Sequence, residues 1–386
     1  MNIKLIFDGI YRNLKIPVAR RSKSTGPVPA YIIGFSPWKT FISDWLPDRE
    51  AKLIHIKTRP FAWWRKWKPW ILWDQRSELY VWGYNMPSFA ARTAARWKVP
   101  VIRVEDGFLR SIKLGTTKAP PVSLCFDRSG ALYYDATMPS DLETIIQNFD
   151  SPSNQALLAR ARAGIARLLE TRLSKYNASN DFDPVGLYGE KTRKRVLVVG
   201  QVEGDMSLRL GMEREMNNND LVTLAAKENP GAEVIYKPHP EVLHGTRKEP
   251  PQSDPSEVSS IARVLVEDVT LADAFETIDH VYTMTSLAGF EALLRGIKVT
   301  CLGMPFYAGW GLTNDRQVCR RRTAKRTVEE VFAAAYILYP RYLDPTLKQS
   351  ICFEQALDLL ALMRDRPSED PDESTEAVAP TLAALG

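Results

Sequence analysis

Nowhere in its 386 residues does the sequence hold an apolar run of 18 or more, so no segment reads as a membrane-spanning helix. The start, "MNIKLIFDGIYRN", has only three consecutive apolar residues before Asp8, too few for the apolar centre of a secretory signal. Cysteine is scarce: Cys125, Cys301, Cys319 and Cys352 lie far apart, and none forms a CxxC pair. That spacing argues against a disulfide framework or a local zinc site and makes a reducing cytoplasm the expected compartment. No short fixed-period repeat is present, which excludes a solenoid. Acids are scarce over residues 1 to 120, about 8 against about 22 Lys and Arg, although the whole chain carries a formal charge of only +5. A basic half attracts polyanions, whether nucleic acid, anionic lipid or a phosphorylated substrate.

What is present is an alternation of short apolar runs with helical patterns, the mark of α/β architecture. In the first half "AYIIGF" (30–35), "KLIHI" (52–56), "LYVWG" (79–83) and "VPVIRVE" (99–105) read as buried strands, with "SFAARTAARW" (88–97) as a helix. "VSLCFD" and "ALYYD", separated by Arg128-Ser129-Gly130, read as a hairpin. A helical pattern fills 154–173, and the polar stretch after it reads as a linker. Strands recur at 195–199, 233–237, 263–266, 280–284 and 298–302, with the clearest helix between them at 286–296. The expected fold is therefore α/β of GT-B type: two Rossmann-like domains face a central cleft, and a C-terminal helix crosses back to the first. The expected divisions are 1–178, 179–345, a crossover helix at 346–366 and a disordered acidic tail at 367–386.

Sheets of this kind bind ligands at the carboxyl ends of their strands, and those ends carry the candidate residues. "YKPHP" (236–240) sets Lys237 and His239 each beside a proline, which fixes the backbone and presents a point charge and a hydrogen-bond donor, a pair suited to phosphate. "TMTSLAGFEALLRG" places Thr285 and Ser286 where a strand turns into a helix, a ready anion site, and Glu291 within the helix can accept from both ribose hydroxyls of a nucleotide. "VEDGFLRS" (104–111) ends a strand with Glu105 and Asp106; on an extended chain at most one of them faces a cleft. "PFYAGWG" (305–311) either closes over a base or sugar or packs between the domains. The turn "GQVEGDMSLRLG" (200–211) follows a strand like a phosphate loop, yet holds two acids, Glu203 and Asp205, which would repel a phosphate.

"EDGFLRS", "GQVEGD", "KPHP", "TSLAGFEALLRG" and "PFYAGWGLTND", in this order, resemble the β-Kdo transferases of bacterial capsule export, over about residues 30 to 320. The resemblance implies CMP-β-Kdo as donor, retention of anomeric configuration through two inversions, and a lipid-linked or saccharide acceptor in surface polysaccharide synthesis. It implies Asp205 as nucleophile, with Glu105 as general base for the acceptor hydroxyl and Asp106 as its substitute. Gln201, Glu203, Lys237, His239, Thr285, Ser286 and Glu291 then bind the donor, and Arg110 holds the Kdo carboxylate. Neither a metal nor another cofactor is expected. A different nucleotide-activated sugar, in a sialyltransferase-like or epimerase reaction, and a non-catalytic polyanion-binding role are the alternatives.

One stretch stands outside these motifs, "FAWWRKWKPWILW" (61–73). Tryptophan interleaved with Lys and Arg suits the interface of an anionic membrane, through Trp63, Trp64, Trp67 and Trp70, and equally suits a packed aromatic cluster. The expected place is the cytoplasm, peripheral on the inner face of the inner membrane. Nucleic acid, the third possible partner of such a stretch, is not expected.

Overall fold

A computed structural model describes residues 26–54, 58–112, 118–175, 184–243, 245, 250–267 and 269–365. The expected acidic tail and residues 176–183 of the expected linker lie outside these residues. The described residues build two sheets of five or more strands. The first holds β1 (Val28–Ile33), β2 (Arg49–Ile54), β3 (Glu78–Trp82), β4 (Val101–Asp106), β5 (Ser123–Asp127), β12 (Pro340–Asp344) and β13 (Gln349–Ile351), in the order β13-β12-β5-β4-β3-β1-β2. The second holds β6 (Arg195–Val199), β7 (Glu233–Lys237), β8 (Arg263–Val264), β9 (His280–Thr283), β10 (Lys298–Cys301) and β11 (Asn314–Asp315), in the order β11-β10-β9-β6-β7-β8. β1 to β4 are mutually parallel, as are all six strands of the second sheet. Parallel strands are covered on both faces and so need continuous apolar runs; β3 and β6 are buried along their whole length. This is the two-domain Rossmann-like GT-B arrangement.

Strand order fixes where ligands bind. In the second sheet the order reverses between β6 and β9, and in the first between β1 and β3. Loops diverge at such points and leave a crevice outside the carboxyl ends of the strands.

The hairpin expected at 122–135 does not form. β5 pairs antiparallel with β4 on one side and with β12 on the other, so Ala131 to Asp135 have no sheet edge left to join. They form a loop instead. The chain also returns to the first domain sooner than expected, at β12 rather than with a helix from residue 346, and the helix itself runs Phe353–Asp365. It packs on the helix Gln155–Glu170: Phe353 contacts Phe332 and the ring nests at Gly164, while Arg160 pairs with Glu354 at 3.0 Å.

The two domains share an apolar seam. Phe108 of the first lies 4.8 Å from Phe306 and 5.4 Å from Tyr336. The "PFYAGWG" loop therefore serves packing between the domains: Phe306, Tyr307, Ala308 and Trp310 are all buried. Beside it Glu143 receives Arg321 at 2.7 Å and the buried Arg322 at 3.0 Å, and Arg322 also donates to the carbonyls of Pro305 and Ala308. Removing one member of a buried ion pair strands the other. Glu143→Ala is expected to lower stability by about 3 kcal/mol, read from the midpoint of urea unfolding.

Candidate active site

The crevices of the two sheets face each other across a cleft of about 860 Å³. On the second-domain wall, β6 runs into the turn Gly200–Asp205. Gly204 sits at φ +83°, and a side chain there would also strike Pro250, so the turn requires glycine. Asp205 caps the helix Met206–Gly211 by accepting from the Ser207 amide at 2.9 Å, and it lines the cleft. Gln201 accepts from the Thr285 amide at 2.7 Å and donates to the Thr285 hydroxyl at 3.0 Å. These bonds tie the ends of β6 and β9 together across the switch point. Both residues line the cleft, but their polar atoms are engaged with each other, so they position the wall more than they meet a ligand. Glu203 differs from expectation. Its carboxylate accepts from the Asn218 amide and side chain and from the Ser253 amide, and it is not among the cleft-lining residues. It braces the turn.

β7 and the residues just after it deliver the buried Lys237 and the half-buried His239 to the same wall. His239 Nδ1 accepts from the Glu241 amide at 3.2 Å, which leaves the ring proton on Nε2 as a donor. Burial lowers the His239 pKa from its ordinary value, so the ring is neutral near pH 7. The helix expected to open at Thr285-Ser286 begins two residues later, at Ala288, and the Ser286 hydroxyl accepts from the Ala288 amide at 3.2 Å. Ser286 thus still serves the helix start and lines the cleft. Glu291 is buried, and burial raises its carboxyl to about 7. Its Oε2 has no hydrogen-bond partner among the described residues. A buried carboxylate oxygen left unpaired at a cleft wall is an acceptor waiting for donors.

On the first-domain wall β4 ends in Glu105 and Asp106. Both line the cleft, against the expected alternation, but their surroundings differ. Asp106 pairs with the buried Arg110 at 2.9 Å, and Arg110 also donates to the Ser111 hydroxyl. Arg110 also lines the cleft, with its charge already countered by Asp106. Among the described residues Glu105 receives the Tyr134 hydroxyl at 3.3 Å and the Asp106 amide at 3.1 Å. Burial, reinforced by the charge of Asp106, raises its carboxyl to about 7, against the opposing pull of Lys39.

Lys39, Tyr133, Tyr134 and Lys175 also line the cleft and were not foreseen. Lys39 lies beyond the end of β1, at the switch point of the first sheet, with its ammonium 2.7 Å from the centre of the Trp82 ring. Burial lowers its pKa to about 8, while Asp106 and Glu105 hold it up. The signal was available: "GFSPWKT" follows a parallel strand as directly as "KPHP" does. The tyrosines sit on the loop that replaces the expected hairpin. Tyr134 feels the charges of both Glu105 and Asp205, which places it between the acids of the two walls.

Comparison with known proteins agrees with this architecture. Residues 78–342 match the family model described as capsule polysaccharide biosynthesis protein. The chain is 42% identical to the lipopolysaccharide-processing protein LpsZ of Rhizobium meliloti, over 92% of this chain and 78% of that one. It is 39% identical to the capsule polysaccharide modification protein LipA of Neisseria meningitidis serogroup A, over 74% of this chain but 39% of LipA's length. Among solved structures, Thermosulfurimonas dismutans KpsC, beta Kdo 2,4 transferase, superposes with a TM-score of 0.70 at 34% identity, covering 86% of this chain and 97% of that one. The beta Kdo 2,7 transferase of the same KpsC gives 0.65 at 31%, covering 87% and 100%. With its GT-B fold, its two-walled cleft and a match across most of its length, the chain belongs to the capsule polysaccharide biosynthesis protein family.

Proposed function

We propose that the protein is a retaining β-Kdo glycosyltransferase that moves Kdo from CMP-β-Kdo to a lipid-linked or saccharide acceptor of surface polysaccharide synthesis. The observation that carries this reading is the pairing of the walls: Glu105 faces the cleft from one and Asp205 from the other, with Lys237, His239 and Ser286 on the same wall as Asp205. Lys237 and His239 meet the CMP phosphate, with Ser286 beside them, and Glu291 takes the ribose hydroxyls that its unpaired oxygen calls for. Asp205 attacks the anomeric carbon; the bond to the CMP phosphate breaks and CMP departs with its electron pair. Glu105 then takes the proton of the acceptor hydroxyl, whose oxygen displaces Asp205 and restores the free carboxylate. Two inversions leave the configuration retained. Lys39, a desolvated cation beside Glu105, takes over from Arg110 as the residue that meets the Kdo carboxylate. No metal is required, since the departing phosphate is met by Lys237 and His239. The divisions 1–178 and 179–345, with β12 and β13 assigned to the first domain, give one acceptor side and one donor side. The enzyme works in the cytoplasm, peripheral on the inner face of the inner membrane.

The test supplies CMP-Kdo, made in situ, with a Kdo-accepting saccharide, and follows CMP release with EDTA present. Turnover is expected, inhibited by added CMP and not by UDP or UMP. Inhibition by UDP or UMP comparable to that by CMP would overturn the donor assignment.

A further inference from the structure

Residues 59–73 carry six aromatic side chains and four Lys or Arg, with no acid before Asp74. The structure divides them. Trp63 and Ile71 are buried in the first-domain core, where the Trp63 indole donates to Thr93 at 3.2 Å, and Trp67 packs at the edge of that core. The others point outward: Phe61 is 73% exposed, Trp70 and Trp73 63% each, and Trp64 45%. The neighbouring helix Ser88–Trp97 extends the patch. Trp63 also packs on its Phe89, and its last turn presents Arg96 and Trp97, the latter 46% exposed. Arg92, Arg96 and Lys98 are exposed there, again with no acid between residues 88 and 98. The Lys68 ammonium lies 3.5 Å above the Trp64 ring, and the field of Arg96 reaches Lys68, so the two helices share one surface.

We infer that this tryptophan- and cation-lined face docks the protein on an anionic lipid surface. Five large aromatic side chains exposed on two neighbouring helices mark an interaction site. Tryptophan is the side chain that settles at the level of lipid headgroups, and Lys and Arg lay their stems along apolar surface while their charges meet anionic lipid. A second copy of the chain is a poor occupant, because a two-fold contact would bring the same cations face to face. Single-stranded nucleic acid wants open ring faces for stacking, and one face of Trp64 is already taken by Lys68. Among the described residues no helix is long and apolar enough to cross a membrane, so contact through this face is interfacial. β2 runs parallel to β1, and the segment follows β2; it therefore starts from the end of the sheet where Lys39 enters the cleft.

Co-sedimentation of the full chain with phosphatidylcholine vesicles, with and without phosphatidylglycerol, tests this. Binding is expected only to the anionic vesicles and is expected to weaken as salt is added. The triple variant Trp64→Ala/Trp70→Ala/Trp73→Ala and the double variant Arg65→Glu/Lys66→Glu should each lose at least about tenfold in partitioning, with the thermal midpoint and CMP binding unchanged. Variants that partition like the parent, or a parent that binds neutral vesicles equally well, would sink the inference. So would a dimer, or binding to a single-stranded oligonucleotide, that is lost in these variants while vesicle binding persists. Because CMP binding is read separately, failure here leaves the transfer chemistry untouched, and failure of the transfer chemistry leaves this face standing.

Discussion

Replacing Asp205 with Asn is expected to abolish Kdo transfer, by about 10⁴-fold or more in kcat, while CMP binds as before. The choice of Asn follows from the local structure. Asp205 is both cleft-facing and the cap of the helix Met206–Gly211, so Asp205→Ala removes the proposed nucleophile and a cap together, the cap alone being worth about 1 kcal/mol. Asparagine caps equally well and has nearly the same volume, but its amide cannot form an ester with the anomeric carbon. CMP affinity should survive because the proposed phosphate and ribose contacts come from β7 and from the helix Ala288–Leu294, on other parts of the sheet. Both variants should therefore lose transfer, and only Asp205→Ala should also lower the thermal midpoint. Near-normal turnover by Asp205→Asn would mean that the carboxylate does not attack. A covalent adduct sought by mass spectrometry on denatured enzyme should be present with the parent and absent with either variant.

What the sequence made legible follows from physical scale. Strands of parallel sheets are short, continuous and apolar, so β6 and β7 were readable to the residue, and the motifs at their ends came with them. Lys237, His239, Asp205 and Glu105 reach the cleft for that reason. What escaped depends on partners distant in sequence. "ALYYD" has strand composition, but β12, more than 200 residues later, occupies the edge it would need, and its tyrosines line the cleft instead. Glu203 and Arg110 have the right chemistry for a ligand, and only the fold shows that Asn218, Ser253 and Asp106 already engage them. Alternation along an extended strand likewise failed at Glu105 and Asp106, because both sit at the strand's end, where the chain turns toward Gly107. In "FAWWRKWKPWILW" the membrane and core readings were posed as rivals. The segment is helical, so one side carries Trp63 and Ile71 inward while the rest of its circumference leaves Trp64 and Trp70 outside.

Glu105→Gln should stop the reaction at its second half. The acceptor hydroxyl needs a base; the amide of Gln has none to offer, and transfer is expected to fall by about 10² to 10⁴-fold. In the proposed mechanism the first half uses Asp205 and the opposite wall, so CMP should still be released in a burst equal to the enzyme present, followed by slow turnover. That separates the two acids: Asp205→Asn gives no burst, Glu105→Gln gives a burst and little product. The pH profile carries the same assignment. Burial and the neighbouring Asp106 raise Glu105 to about 7, so the parent's transfer rate should rise with pH through that value as the carboxyl loses its proton. Lys39, lowered to about 8 by its burial, must stay charged to meet the Kdo carboxylate, so the rate should fall again above that pH. The parent profile is then a narrow bell between the two values. Lys39→Arg, charged at every pH used, should remove the alkaline limb and leave the acid limb in place. A burst missing from Glu105→Gln, or an acid limb unchanged in its residual activity, would assign the base to another group, with Asp106 the first to examine.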